Sequence, residues 1–229
     1  MTEAIIFDKD GTLFDFRRTW GAWAERMLVE IGAGDPALIP VAAEAMGYDI
    51  GQGFRPSSIV IAGTSGEVGR ALAAATGLPA PHLEAMANRI AAGTPQVPVP
   101  GLGDTLTRLA RGHTLGLVTN DGEAPALAHL TSEGIAHHFA FVAGYDSGHG
   151  AKPDPGPLLA FSIATGTDPA RTLMVGDSRH DLAAGRAAGM ATVAVLTGIA
   201  TAPDLADLAD AVLDDITQLP GWLAAQKTA

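Results

Sequence analysis

Ala4-Ile5-Ile6-Phe7-Asp8-Lys9-Asp10-Gly11-Thr12 decides how this chain is read: an apolar run that ends in two aspartates and a Gly-Thr turn. Side chains alternate along an extended strand, so Asp8 and Asp10 share a face and Lys9 points away from it. Carboxylates held that close require a cation or a proton between them. Gly11 lets the chain turn sharply, and Gly11 with Thr12 offers backbone N–H groups and a hydroxyl to an anion. Taken alone, the segment would also fit a plain strand followed by an Asp-Gly turn.

Working outward, three further segments carry related chemistry. His113-Thr-Leu-Gly-Leu-Val-Thr119-Asn120 reads as a strand ending in a hydroxyl and an amide. Lys152 stands in Gly150-Ala-Lys-Pro-Asp-Pro155, where prolines prevent regular structure on either side. Thr172-Leu-Met-Val-Gly-Asp177-Ser-Arg-His-Asp181 is a buried-type strand that delivers two more carboxylates, the second about one helical turn beyond the first. Apolar runs at 4–7, 115–118, 140–143, 173–175 and 192–196 alternate with helical stretches near 105–111, 124–133, 156–165 and 182–188. That alternation predicts an α/β fold with a largely parallel sheet, with ligands bound outside the carboxyl ends of the strands. Residues 211–214 add an edge strand and 216–225 a closing helix.

The rhythm breaks between Phe16 and about Pro95, where the patterning predicts helices at 19–31, 36–46, 67–76 and 82–91. This is an inserted helical domain, entered through Leu13–Phe16 and left through the stiff linker Pro95-Gln-Val-Pro-Val-Pro-Gly101. The boundaries follow as 1–15 with 97–229 for the core and 16–96 for the insert.

With all four motifs present in order as DKDGT, LVTN, the Lys of AKPDP and GDSRHD, the chain resembles the haloacid-dehalogenase-like hydrolase superfamily. Gly185-Arg-Ala-Ala-Gly-Met190 looks like its phosphoglycolate phosphatase and phosphoglucomutase branch. The resemblance implies a Rossmann-like core and a helical cap over the active site. It makes Asp8 the nucleophile and Asp10 the acid that protonates the leaving oxygen, then the base toward water. Thr119, Lys152, Gly11 and Asn120 would surround the phosphoryl group. Mg²⁺ would be held by Asp8, Asp177 and the backbone carbonyl of Asp10, with Asp181 holding a metal-bound water or orienting Lys152. Aspartate is chemically competent for this, since its phosphoester can later be cleaved by water.

The cap offers two substrate-binding candidates, Arg55 and Ser65. Gly63-Thr-Ser-Gly-Glu67 reads as a helix start capped by Ser65, or as an anion site for a substrate carboxylate. Two positions depart from the resembled pattern. Lys9 replaces an apolar residue between the aspartates, placing a charge on the far side of the strand end for loop or solvent to accommodate. Asp121-Gly122 stands where a basic residue is frequent. Neither is expected to touch the chemistry.

Composition agrees with a small-molecule enzyme. A length of 229 residues suffices for one sizeable core plus an appendage, and a net charge of −11 disfavours nucleic acid and anionic membranes as partners. The absence of cysteine excludes disulfides, zinc–thiolate sites and a thiol nucleophile, and the seven histidines show no metal-ligand spacing. The first strand begins almost at once and no apolar run could span a bilayer, so a cytoplasmic monomer or homodimer is expected. The expected activity is hydrolysis of a small phosphorylated metabolite, 2-phosphoglycolate first and a phosphosugar (phosphatase or mutase) second. A dehalogenase needs no acid at Asp10, a phosphonate hydrolase needs a cap lysine that is absent here, and a non-catalytic binding protein has no need of all four motifs.

Overall fold

The computed structural model describes residues 2–226. Eight strands, β1 (Ala4–Phe7), β2 (Tyr48–Asp49), β3 (Gly53–Phe54), β4 (Thr114–Val118), β5 (Phe139–Ala143), β6 (Thr172–Gly176), β7 (Ala191–Val195) and β8 (Ala211–Leu213), form two sheets. Between and beyond them run helices α1 (Phe16–Gly32), α2 (Leu38–Met46), α3 (Ser65–Thr76), α4 (Ala80–Ala92), α5 (Leu102–Ala110), α6 (Glu123–Ser132), α7 (Gly156–Thr165), α8 (Arg179–Ala187), α9 (Ala202–Leu205) and α10 (Leu219–Gln226). The large sheet has the order β5-β4-β1-β6-β7-β8 with every pairing parallel. The chain fills one side of β1 with β4 and β5, then crosses to the other side for β6 to β8, so the topological switch point lies at β1.

Strand alternation sorts the core into two layers. Ile5, Phe7, Leu115, Leu117, Leu173 and Val175 pack with Leu106 of α5, Leu130 of α6 and Leu219 of α10. Ala4, Ile6 and Met174 face the opposite side, toward Leu158 and Phe161 of α7 and Ala184 of α8. Gly116, in the middle of β4, belongs to this second layer. A Cβ there would come within 2.5 Å of the Phe161 ring, so the missing side chain is what lets α7 close on the sheet.

The insert between β1 and α5 has a core of its own. Phe16, Trp20, Trp23, Met27 and Ile31 recur at helical spacing along α1 and meet Leu72 of α3 and Leu83 and Ile90 of α4. Asp15 caps α1 by accepting the Arg18 N–H at 3.0 Å. The two linkers zip together: Asp15 N–H donates to Val97 at 2.8 Å and Val99 N–H to Leu13 at 2.9 Å. Entry to and exit from the insert are therefore one paired ribbon.

Three local expectations are corrected. Residues 48–54, which lie between the helices expected at 36–46 and 67–76 and carry no expected strand, form the β2–β3 hairpin, made possible by positive φ at Gly51 and Gly53. The N-cap of α3 is Thr64, not Ser65: Thr64 and Glu67 form a reciprocal capping box, and Ser65 is the first helical residue. The closing helix of 216–225 is a 3₁₀ turn, Ile216–Gln218, followed by α10. Among the described residues, no helix is long and apolar enough to cross a membrane.

Gly116→Ala should destabilise the protein by about 1–3 kcal/mol, the usual range for overpacking a close-packed layer. Urea denaturation measures it, and a neutral result would show that α7 can shift at no cost.

Candidate active site

The register of the sheet assembles the site. Phe7 of β1 pairs with Leu117 of β4 and Val175 of β6, so Asp8, Thr119 and Asp177 emerge together from three adjacent strand ends. Lys152 reaches them from the β5–α7 loop. Its ammonium donates to Asp8 Oδ1 at 2.5 Å, to Asp181 Oδ1 at 2.7 Å and to the Val118 carbonyl at 2.8 Å. Asn120 holds the loop that carries it: Asn120 Oδ1 accepts the Lys152 N–H at 2.9 Å, and Asn120 Nδ2 donates to the Lys152 carbonyl at 2.8 Å.

The two acidic residues of the last motif are held differently. Asp181 has both oxygens engaged, Oδ1 by Lys152 and Oδ2 by the Ser178 hydroxyl and N–H, because Ser178 and Asp181 form the capping box of α8. Asp177 receives only the Thr12 hydroxyl, at 3.3 Å, among side-chain donors. Two glycines leave it room. A Cβ at Gly11 would stand 2.3 Å from Asp177 Oδ2 and one at Gly198 only 1.8 Å, and Gly11 also has φ +84°.

Carboxylate oxygens of Asp8, Asp177 and Asp181 lie within 4.8 Å of one another, all buried. Burial, against the opposing pull of Lys152, and the neighbouring Asp181 and Asp10 push the Asp8 carboxyl up to about 7. Burial, Asp8 and Asp181 drive Asp177 well above the ordinary carboxylate range. Burial alone would lower Lys152, but Asp181 and Asp8 outweigh it and keep the ammonium charged. A buried all-oxygen cluster with excess negative charge fits a hard divalent cation such as Mg²⁺.

The cavity above this cluster is narrow, about 50 Å³, and partly covered by the helical insert. Phe16, Trp20, Trp23, Val60 and Val68 form its cap wall, and Ser65 lines it at the start of α3. Among the described residues, Trp20 Nε1 is buried with no hydrogen-bond partner. The cap carbonyl of Ala62 receives Asn120 Nδ2 at 2.8 Å and lies 3.3 Å from His180 Nδ1, so two core side chains grip the cap rim.

Asp8, Asp10, Thr119, Asn120, Lys152, Asp177, Asp181 and Ser65 thus line one cavity, with Gly11 beside Asp177. Arg55 does not join them. Its guanidinium pairs with Glu44 at 2.8 Å and Asp49 at 2.7 Å on the cap surface, and it is absent from the cavity wall. The β2–β3 hairpin turns it toward those carboxylates, so the expectation of a cleft-facing arginine is withdrawn.

Lys9 is also corrected. It is fully buried, not accommodated by loop or solvent, and it donates to Asp121 Oδ2 at 2.7 Å and to His129 Nδ1 at 2.8 Å and lies 3.0 Å from Asp10 Oδ2. The two departures from the pattern, 112 residues apart, are therefore one ion pair. Opposite charges at two unusual positions were the sequence signal for it. His129, reached by no motif, places Nε2 2.8 Å from the Ala91 carbonyl of α4. Since the ammonium can only donate, His129 accepts at Nδ1 and carries its proton on Nε2.

Comparison with known proteins agrees with the geometry. The model of the haloacid dehalogenase-like hydrolase family matches residues 5–195, and the chain belongs to that family. Phosphoglycolate phosphatase of Pseudomonas putida is 32% identical over 223 residues, covering 95% of this chain and 78% of that protein. Phosphoglycolate phosphatase of Rhodospirillum rubrum is 41% identical over 114 residues, 50% of this chain, and that match spans just under half of the relative, 47%. Among solved structures, CbbY of Rhodobacter sphaeroides in complex with phosphate superposes with a TM-score of 0.72 at 20% identity, over 96% of each chain. L-2-haloacid dehalogenase of Xanthobacter autotrophicus, with chloropropionic acid covalently bound, gives 0.63 at 19% identity, over 98% of this chain and 99% of that one. At such identities the structures share the fold.

Burial and the adjacent Lys9 hold His129 below its ordinary value of 6.5, so the folded protein keeps it neutral while the unfolded chain protonates it. This penalty is absent above about pH 6.5 and grows as pH falls below it. Between pH 7 and 5.5 the urea midpoint should drop more in wild type than in His129→Gln, whose amide can accept from Lys9 and donate to Ala91. Identical drops would mean that His129 does not titrate against folding.

Proposed function

We propose that this protein is a Mg²⁺-dependent phosphomonoesterase that works through an aspartyl-phosphate on Asp8, with 2-phosphoglycolate the first substrate to test. The observation that carries this reading is the convergence of Asp8, Asp10, Thr119, Lys152 and Asp177 on one cavity at the switch point of the sheet.

Phosphoryl transfer is chiefly a matter of positioning and charge neutralisation. Asp8 attacks phosphorus, forming an O–P bond as the bond to the alcohol oxygen breaks, and Asp10 gives that oxygen its proton. Asp10 then takes a proton from water as the water oxygen attacks the phosphoenzyme, releasing inorganic phosphate and restoring Asp8. Lys152 and the Thr119 hydroxyl donate to the phosphoryl oxygens. Asp8, Asp177 and the main-chain carbonyl of Asp10 would hold the metal, which when bound neutralises charge on the transferring group. With both oxygens engaged by protein donors, Asp181 serves to orient Lys152.

Specificity falls to the cap. The relatives named above support phosphoglycolate, whose carboxylate would need donors. No arginine lines the cavity among the described residues, and the available donors are the unpartnered Trp20 Nε1, Ser65 and the first turn of α3. The aromatic surface of Trp20 and Trp23, in edge contact at 5.2 Å, favours a phosphosugar as the second reading.

Asp8→Asn should abolish turnover, and rapid quenching of wild-type enzyme with labelled substrate should recover the phosphoryl group on Asp8. Turnover of Asp8→Asn near the wild-type rate would end the covalent reading.

Trp20→Phe should lower kcat/KM on 2-phosphoglycolate by about tenfold to a hundredfold, the loss of one hydrogen bond to a charged group, while sparing p-nitrophenyl phosphate. Much faster turnover of phosphosugars by wild type would transfer the substrate to the second reading and leave the chemistry intact.

A further inference from the structure

Lys9 places a buried ammonium against the residue read here as the acid and base. Its three donor positions are all accounted for: Asp10 Oδ2 at 3.0 Å, Asp121 Oδ2 at 2.7 Å and His129 Nδ1 at 2.8 Å. The latter two are themselves fixed. Asp121 sits in the turn after β4, where its Oδ1 accepts the Gly122 N–H at 2.8 Å and its own N–H donates to Thr119 Oγ1 at 3.1 Å. His129 is buried on α6 and bonded to the cap carbonyl of Ala91. The Trp20 ring closes the remaining side, 5.6 Å from the ammonium. An ammonium held on three sides by packed groups has little freedom, and it imposes that order on the fourth.

Asp10 has no other anchor among the described residues. Its Oδ2 is on Lys9, and its Oδ1 is buried with no partner. We propose that Lys9 is the positioning residue for Asp10: it pins one carboxylate oxygen so that the other is presented, unpaired, to the leaving-group oxygen and then to the attacking water. Lys9 does not line the cavity and acts through Asp10 alone. Asp121 and His129 set where the ammonium sits, so the residue facing away from the paired aspartates governs one of them. The inference rests on the acid–base reading of Asp10.

The test is a double-mutant cycle in the magnesium-loaded, full-length protein. Lys9→Met keeps the length of the side chain and removes the charge. Because it strands the buried Asp121, Lys9→Met/Asp121→Asn is made beside it and replaces it in the cycle if the single variant does not fold by circular dichroism. On an alkyl phosphate, whose alkoxide needs a proton, kcat should fall roughly tenfold to a hundredfold, part of the 10²–10⁴ that acid–base catalysis supplies. On p-nitrophenyl phosphate, whose leaving group needs none, phosphoenzyme formation should be nearly unchanged while its hydrolysis slows, giving a burst of p-nitrophenolate approaching one per active site. In an Asp10→Asn background the same change should cost no more than about twofold.

Equal loss with and without Asp10, or equal loss on both leaving groups without a burst, would overturn the inference and leave Lys9 a structural ion pair. Unchanged kcat would overturn it as well. A wild-type enzyme without magnesium-dependent phosphatase activity would instead remove the acid–base reading itself, an outcome scored before any variant is made.

Discussion

The constraint on which the rest of this structure depends is buried negative charge. Asp8, Asp121, Asp177 and Asp181 are buried at the carboxyl end of the sheet, and Asp10 stands beside them with only 12% of its side chain exposed. Removing carboxylates from water is costly unless each is paired or hydrogen-bonded. Two buried lysines, Lys9 and Lys152, are the cations that answer them. They divide the task. Lys152 ties Asp8 to Asp181, and Lys9 ties Asp10 to Asp121. Among the described side-chain donors Asp177 has only the Thr12 hydroxyl, it sits in a glycine-lined recess, and negative charge remains in excess where a cation would sit.

This division explains the shape around the site. Parallel pairing of β1 with β4 and β6 brings the acidic ends together, which repulsion alone would forbid, and hydrophobic layers on both faces of the sheet supply the compensating stability. The Lys152 loop is held at the Asn120 side chain, and the same side chain grips Ala62 of the cap. Lys9 reaches the cap too, through His129 and Ala91. Both charge-neutralising lysines are therefore linked through hydrogen-bonded side chains to backbone carbonyls of the insert.

Much of the architecture was legible in the chain because its signals are local. Alternating apolar runs predict strands, prolines around Lys152 predict a loop, and a run of four helical segments that breaks the β/α rhythm predicts the insert. The β2–β3 hairpin escaped because two-residue strands carry no period, and its two glycines are ambiguous without φ. Composition alone points to Ser65 as the cap, whereas Thr64 holds that position because Glu67 stands three residues after it and completes the box.

By itself the sequence determined the α/β class, the order of the four motifs and the residue types available for phosphoryl chemistry, since these follow from periodicity and from the chemistry of side chains at strand ends. Tertiary structure alone decided the partners. Arg55 could equally have faced the cleft until the hairpin aimed it at Glu44 and Asp49. Lys9 reads as a charge pointing away from the site, for loop or solvent to accommodate, because strand alternation says which face a side chain leaves by and nothing about what waits there. What waits is Asp121 from the next strand end, His129 from the following helix and Trp20 from the cap, and only long-range packing could bring them within reach of one ammonium.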